Sequence, residues 1–289
     1  MIPTELPTPT KAPALTLSPD ASTRDAFLVV ARSCLAHADA NEPAVGVDAD
    51  PEGLHQLRVA YRRLRSALSL HRAVCRADPD AQDLKDRLRS LTVPFGAARD
   101  LDVFVEAHED LDGIAAERLE GLRREAYLAV TDTLAAPAWQ TMRRDFEDWL
   151  VEAPLGSRRP GSARRSAAAA MALRRRRIAR QGRDLAALSS AARHEVRIEA
   201  KKLRYAYQFY GSLWPGHEAQ VWADERALAL LQDQLGLLND ALTWAAIRVA
   251  AGIHTPDPPV DVERTLASAQ HTWYGIVGSG RYWRGRGAG

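Results

Sequence analysis

The sequence predicts an all-α protein made of two similar helical bundles that are related by an internal duplication. Strand-like alternation of apolar and polar residues is nearly absent from the chain. Residues 55–65 return as residues 194–204, with a histidine at the start of both copies and each cation of one copy aligned with a cation of the other. A second shared element follows each copy at a matching distance, at 95–101 and at 235–241, and such ordered repeats indicate a duplication.

In the first half of the chain, helix-breaking residues and the spacing of apolar residues predict where the helices begin and end. Phe27, Val30 and Leu35 have the spacing of a helix face, and a loop rich in Pro, Gly and Asp follows at 41–53. Pro79 lies in the stretch that ends the helix carrying the first copy of the repeat. These signals predict helices at about 21–40, 51–75, 81–92, 96–109, 115–134 and 138–152.

In the second half, an Ala-rich helix precedes the repeat, and the Trp-Pro-Gly sequence at 214–216 ends the helix that carries the second copy. A Pro-rich stretch after Thr255 marks a further boundary, and the sequence beyond it allows one more helix. The predicted helices lie at about 163–187, 190–211, 217–236, 237–252 and 260–278.

The predicted domains follow from these elements. Residues 1–20 are a Pro-rich flexible tail, and 154–162 is a linker rich in Pro and Gly. The first bundle occupies 21–153 and the second occupies 163–252. Residues 253–289 form a C-terminal extension whose single helix could pack on the second bundle.

The composition argues against a disulfide-stabilised secreted protein and against a membrane protein. The chain has 289 residues, a formal net charge of +2 and 46% hydrophobic residues, which is ordinary for a globular protein. Two cysteines give no disulfide framework, so a reducing cytoplasm is the expected compartment. The Pro-rich N-terminus lacks the apolar core of a signal peptide, and no run of about 18 apolar residues predicts a membrane span or a membrane partner.

Cations form a row along each motif helix. At about 100° per residue, the histidine and the cations three, seven and ten positions later fall within roughly an 80° arc. This row consists of His55, Arg58, Arg62 and Arg65 in the first copy and of His194, Arg197, Lys201 and Arg204 in the second. A neighbouring stripe is apolar or small and predicts the packing edge: Leu57, Tyr61, Leu64 and Leu68, then Val196, Ala200, Leu203 and Tyr207. Arg63 and Lys202 point further around each helix.

A row of like charges is unfavourable unless something compensates it. Acidic partners on neighbouring helices, full solvation or a polyanionic ligand could each do so, and the row itself carries no acid. A solvated basic face would explain one such helix. Retention of the histidine and all four cations in both copies favours an anion site. His55 and His194 are then phosphate donors; metal binding or general base catalysis is disfavoured because no carboxylate or second histidine follows at helical spacing.

These motifs resemble the CHAD family, the conserved-histidine α-helical domains. The first copy of the repeat matches the family as His55-x-x-Arg58 with the cations that follow it, and the second copy matches as His194-x-x-Arg197 with its own cations. The second shared element matches as Ala98-Arg99-Asp100-Leu101-Asp102 in the first half and as Leu231-Gln232-Asp233-x-Leu235-Gly236-x-Leu238-Asn239-Asp240 in the second. The resemblance covers about residues 22–250 and implies two four-helix bundles with pseudo-twofold symmetry, separated by a basic groove or pore. No pattern of the catalytic CYTH domain that accompanies many relatives occurs, so the chain resembles a stand-alone CHAD module.

The resemblance also implies a bacterial protein of the cytoplasm that binds inorganic polyphosphate, associates with polyphosphate granules and meets granule-associated proteins there. The basic positions that map to this function are His55, Arg58, Arg62, Arg63, Arg65, His194, Arg197, Lys201, Lys202 and Arg204. We add Arg99 of the second shared element, and Arg174 and Arg177 of the arginine block at 174–177, as extensions of the groove. Asp100 and Asp240 are interpreted as structural acids that cap or orient the cations.

The leading hypothesis is therefore a non-enzymatic polyphosphate-binding module without a cofactor or a metal. A nucleic-acid-binding protein would use the same charges with exposed aromatic residues, but nucleic acid is expected to bind only non-specifically, because the rows lack interleaved aromatics apart from Tyr205. A metal-dependent phosphohydrolase needs clustered carboxylates or histidines, which no motif supplies. The tryptophans, Trp139, Trp149, Trp214, Trp222 and Trp244, are expected to pack in the core.

Overall fold

The computed structural model describes residues 7–46, 50–71, 75, 78–108, 110–111, 113–152, 161–254 and 261–284. These residues are mostly helical and include no β-strand, so the all-α fold class is confirmed. The helices are α1 (Thr23–Asn41), α2 (Pro51–Leu70), α3 (Pro79–Leu91), α4 (Val93–Ala107), α5 (Gly113–Ala135), α6 (Pro137–Glu152), α7 (Ala163–Gln181), α8 (Ser190–Tyr210), α9 (Glu218–Ala251) and α10 (Val262–Gly278).

The chain divides into two units. The first holds Met1–Pro13, Val30–Leu155 and Thr243–Thr255, and the second holds Ala14–Val29, Gly156–Leu242 and Pro256–Gly289. The division near residue 155 falls within the predicted linker, most of which lies outside the described residues. The predicted boundaries differ elsewhere, because α1 and α9 each contribute residues to both units.

Helix α2 carries the first copy of the repeat. The Asp50 side chain accepts a hydrogen bond from the Glu52 main-chain N–H at 2.8 Å, and Pro51 is the first helical residue, so the helix start is well capped. Its predicted packing stripe is confirmed, since Leu57, Tyr61, Leu64 and Leu68 are all buried. Tyr61 meets Trp139 of α6 edge to face, with ring centroids 5.1 Å apart.

Helix α8 carries the second copy and begins in the same way. The Ser189 hydroxyl oxygen accepts from the Ala192 main-chain N–H at 3.2 Å. Its packing stripe is also confirmed, because Val196, Ala200, Leu203 and Tyr207 are buried. Helix α7 packs along α8 within the second unit. The local sequence thus sets the face that each motif helix turns to its own core.

The C-terminal extension is attached to the second unit through Arg175. This buried arginine donates to the carbonyl oxygens of Val277, at 3.0 Å, and Ser279, at the end of α10. Its guanidinium carbon lies 5.6 Å from the ring centroid of Trp283, which is buried. A cation at the C-terminal end of a helix is favoured by the helix dipole, so Arg175 both anchors and caps α10.

The described part of the predicted flexible tail is held in place. The Thr10 main-chain N–H donates to Oδ1 of Asn41 at 2.8 Å, in the first unit. Leu17 is buried, and its N–H donates to Oγ of Ser212 at 2.9 Å, in the second unit. Pro-rich sequence rules out a helix here, but it does not prevent an extended segment from being bound along its length.

Two further predictions differ from the structure. Residues 218–251 form one helix rather than two, because the stretch contains no proline and a single helical glycine, Gly236, costs only about 1 kcal/mol. Trp222 is 60% exposed, whereas Trp139, Trp149 and Trp214 are buried as expected. Trp222 lies on the side of α9 opposite to Leu228 and Leu235, which face the core.

Candidate anion-binding site

Four basic residues of the first copy lie half-buried along one edge of α2. They are His55, Arg58, Arg62 and Arg65, and they lie beside the buried packing stripe of the same helix. Half-burial matters because charges at such positions interact more strongly than fully solvated ones. The helical spacing therefore brings the predicted row together, as a set of charges with restricted access to water.

Arg58 lies against Gly96 at the start of α4. A Cβ atom added at position 96 would be 3.3 Å from Nη1 of Arg58. Burial lowers the pKa of the Arg58 guanidinium below its ordinary value, and the charge of Arg62 lowers it further, as do Arg65 and Arg99. Asp100 acts in the opposite direction. The arginines of α2 and α4 thus lie close enough for their positive charges to oppose that of Arg58.

His55 is part of the same cluster. Burial lowers the pKa of its imidazole, followed by the positive charges of Arg99, Arg62 and Arg58, while Glu52 raises it. The free site therefore favours the neutral form of the ring. We call His55, Arg58, Arg62, Arg65 and Arg99 the α2–α4 cluster.

Arg99 is positioned by carboxylates of its own helix. Nη1 lies 4.0 Å from Oδ2 of Asp102 and Nη2 lies 3.7 Å from Oε2 of Glu106. Asp102 is buried and accepts from Nε of Arg123 at 2.9 Å and from the hydroxyl of Tyr127 at 2.8 Å. The sequence motif includes Asp102 but does not by itself indicate its role. Its position three residues after Arg99 is the spacing at which two side chains of a helix can form an ion pair.

Arg197 repeats the placement of Arg58 in the second unit. A Cβ atom at position 236 would be 3.3 Å from Nη2 of Arg197, as one at 96 would be from Arg58. Nε of Arg197 also donates to the main-chain carbonyl of Gln232 at 3.1 Å, within α9. In both copies, therefore, the first motif arginine lies across the glycine of the second shared element.

The remaining cations of the second row differ in exposure. His194 is exposed, whereas Lys201 and Arg204 are half-buried along the edge of α8. The guanidinium carbon of Arg204 lies 5.8 Å from the ring centroid of Tyr205. The row is thus present on α8, with its histidine more open to solvent than His55 is.

Glu199 binds three of the predicted site cations. This buried carboxylate accepts from Nη1 of Arg174 at 3.0 Å, from Nη1 of Arg177 at 3.3 Å and from Nζ of Lys202 at 3.1 Å. Burial alone would raise the pKa of the Glu199 carboxyl, but Arg174 and Lys202 outweigh it and the pKa is lowered. Because Arg174 is itself buried, this group joins α7 to α8. Arg177 and Lys202 remain partly exposed, with 34% and 28% of their side-chain surface accessible.

Arg63 also lies inside the protein rather than on the open edge. It is buried between α1 and α2, close to the thiol of Cys34. Burial raises the pKa of the Cys34 thiol to about 11, and the charge and hydrogen bond of Arg63 oppose that rise. The offset of one residue from Arg62 accounts for this difference, since it turns the side chain by about 100°.

No group of three or more His, Cys, Asp or Glu side chains that could hold a metal ion occurs in the part of the chain that the structure describes. Across the same residues, every helix falls short of the length and apolar character needed to cross a membrane.

Comparison with known proteins identifies the family. The CHAD domain model matches residues 29–248. The crystal structure of the CHAD domain from the plant Ricinus communis is similar at 29% identity and a TM-score of 0.74, over 91% of this chain and 96% of that one. PptA from Streptomyces chartreusis shares the fold at 16% identity and a TM-score of 0.52, over 91% and 98% of the two chains. No curated protein matches significantly. The chain belongs to the CHAD domain family.

Proposed function

We propose that this protein binds inorganic polyphosphate through the α2–α4 cluster and through the corresponding edge of α8. The observation that carries the proposal is the placement of His55, Arg58, Arg62 and Arg65 half-buried along one edge of α2. After burial, the charges of Arg62, Arg65 and Arg99 lower the pKa of Arg58. Such a concentration of basic groups on one edge would attract an anionic ligand.

Polyphosphate suits this arrangement because it is a flexible chain of closely spaced oxyanions. The guanidinium group presents a planar fork that can donate two parallel hydrogen bonds to a phosphate. Arg58 and Arg197, each fixed across a glycine, offer such forks in a set orientation. A chain without bases gives nothing for sequence readout, so charge spacing and site shape would determine selectivity.

We assign different roles to the other predicted residues. Arg62, Arg65, Lys201 and Arg204 are proposed as direct ligands with the two fixed arginines, and His55 and His194 as hydrogen-bond donors. Arg174, Arg177 and Lys202 would position α7 and α8 through Glu199. Arg63 would act in packing, because it is buried beside Cys34.

We propose binding without turnover, with no cofactor or metal. We extend the proposal to the polyphosphate granules of the cytoplasm, with granule-associated proteins as partners, on the strength of family membership. Release of phosphate from long-chain polyphosphate in the presence of Mg²⁺ or Mn²⁺ would contradict binding without turnover.

Titration with polyphosphate of defined length tests the site. The variant that combines Arg62→Glu with Lys201→Glu reverses one charge in each row, and we expect its dissociation constant to rise at least about tenfold, or ~1.4 kcal/mol. Arg144→Glu with Arg164→Glu is a matched control, because it changes the net charge equally at two exposed arginines outside the rows. Equal affinities for the row variant and the control would refute the assignment.

A competition experiment separates polyphosphate from nucleic acid. DNA or RNA is added to the bound complex at equal phosphate concentration and at fixed salt, since both kinds of complex weaken as salt rises. We expect polyphosphate to remain bound. Its displacement by nucleic acid would contradict selectivity while leaving the anion site itself in place.

A further inference from the structure

Helix α9 presents an exposed face that contains three large apolar side chains. Trp222 is 60% exposed, Leu230 is 50% exposed and Leu237 is 53% exposed. Trp222 is covered only in part, by the guanidinium of Arg226 at 4.6 Å from the ring centroid. Exposed apolar side chains that cluster on one element mark interaction surfaces in soluble proteins.

These three side chains lie on one straight stripe. At about 100° per residue, six exposed positions fall within an arc of roughly 80° along five turns of the helix. We call this stripe the α9 face, and it consists of Ala219, Trp222, Arg226, Leu230, Asp233 and Leu237. The core residues Leu228 and Leu235 lie on the opposite side. Such a face is wide enough to pack against one further helix.

The two charged residues of the α9 face have no ion-pair partner among the described residues. Arg226 makes a cation–π contact with the Trp222 ring, and neither its guanidinium nor the Asp233 carboxylate has an oppositely charged group of the described residues within 4.0 Å. Opposite charges are therefore available seven residues, or two helical turns, apart on an apolar background.

We propose that the α9 face binds the same face of a second copy of the chain, with the two helices antiparallel about a twofold axis between residues 229 and 230. In that register Arg226 of each copy meets Asp233 of the other, and Trp222 of each copy meets Leu237 of the other. Leu230 lies at the centre, next to its own symmetry mate. A twofold interface requires a self-complementary surface of this kind.

The complementarity is what selects a second copy as the occupant. A face intended for an acidic or a basic partner would carry one sign of charge, whereas this face carries one of each at positions that a single twofold axis exchanges. Burial of Trp222, Leu230 and Leu237 would supply the affinity, and the two ion pairs would set the register. An interface made by one helix pair is small, so the dissociation constant should be on the order of 1–100 μM. This inference is independent of the proposed ligand.

Sedimentation equilibrium of the full chain over a range of concentrations tests the proposal. Arg226→Asp alone places an acid opposite Asp233, and Asp233→Arg alone places a base opposite Arg226. Each variant should raise the dimer dissociation constant at least about tenfold, because like charges then face each other across the axis. Arg180→Asp is the matched control, since it changes the charge of an exposed arginine outside the face and should leave the constant unchanged.

Mixing the two weakened variants gives the sharper test. The Arg226→Asp chain carries acids at both positions and the Asp233→Arg chain carries bases at both, so an equimolar mixture should dimerise again as a heterodimer. Far-UV circular dichroism should show native helicity for each variant. A wild-type protein that stays monomeric, single variants that dimerise normally, or a mixture that remains monomeric would overturn the proposal.

Discussion

The guanidinium of Arg197 lies so close to Gly236 that a Cβ atom there would be 3.3 Å from Nη2. Arg58 and Gly96 stand in the same relationship in the first unit, with 3.3 Å to Nη1. Glycine inside a helix is unfavourable by roughly 0.5–1 kcal/mol relative to alanine. The presence of glycine at both positions is explained if each arginine must lie across the backbone of the helix that carries the glycine.

Alanine at the two glycines should affect stability differently. Gly96→Ala should raise the free energy of unfolding by up to about 1 kcal/mol, because the tip of Arg58 can move by a few tenths of an ångström. Gly236→Ala should gain less or lose stability, since the bond from Nε of Arg197 to the Gln232 carbonyl restricts that movement. Urea unfolding measures both. Gly121→Ala is the control, with no atom near its Cβ; equal gains at 121 and 236 would contradict the constraint.

The motif helices could be predicted closely from the sequence because every local signal agrees there. Apolar spacing, an N-terminal cap and a proline at the first position all define α2, which begins at Pro51 as predicted. The sequence predicts two helices where α9 is continuous, because one glycine is a weak helix breaker when buried leucines continue the apolar pattern. It also predicts a buried Trp222, because the apolar spacing around this residue does not show which side of the helix faces the core.

The acidic partners of the site cations could be predicted from the sequence only in part. Spacing along α2 and α8 fixes which cations share an edge, and that much holds for the two rows. The partners of Arg174 and Arg177 depend on how α7 packs on α8, which places Glu199 between them. Such contacts join residues more than twenty positions apart, so the periodicity of one helix carries no information about them.

Replacing the carboxylate between α7 and α8 should destabilise the second unit. Glu199→Gln removes the carboxylate charge beside the buried Arg174, and we expect a loss of about 3 kcal/mol in the free energy of unfolding at pH 7. The pKa of Glu199 is lowered in the folded state, so its contribution is fully present above the ordinary value of 4.5 and is lost as the pH falls through the folded pKa. Urea unfolding at several pH values measures this dependence.

Glu195→Gln provides the comparison for Glu199. Glu195 is exposed on the same helix, and its replacement should change stability by no more than about 0.5 kcal/mol. The difference between wild type and Glu199→Gln should shrink in acid, when the wild-type carboxyl is also protonated. A constant difference from pH 7 down to strongly acidic conditions would show that the carboxylate charge is not what stabilises the helix pair.

We expect His55 to link the proposed binding of polyphosphate to pH. Burial and the charges of Arg99, Arg62 and Arg58 hold its pKa below the ordinary value of 6.5 in the free protein. At pH values between the pKa of His55 in the folded protein and its pKa in the unfolded chain, the unfolded chain binds more protons than the folded protein. The ligand-free protein therefore loses stability as the pH falls through this range. A bound polyanion offsets the positive charges and raises the pKa of His55, so binding should be accompanied by proton uptake.

The affinity for long-chain polyphosphate should therefore increase severalfold as the pH is lowered from about 7.5 to about 5.5, around the ordinary pKa of histidine. His55→Gln should lose most of this dependence, because glutamine can still donate a hydrogen bond but cannot take up the proton. Calorimetry in buffers of different ionisation enthalpy measures the uptake directly. His271→Gln, at an exposed histidine of α10, should behave as wild type. If His55→Gln kept the full pH dependence and the same proton uptake, the imidazole would not be the group that responds to the ligand.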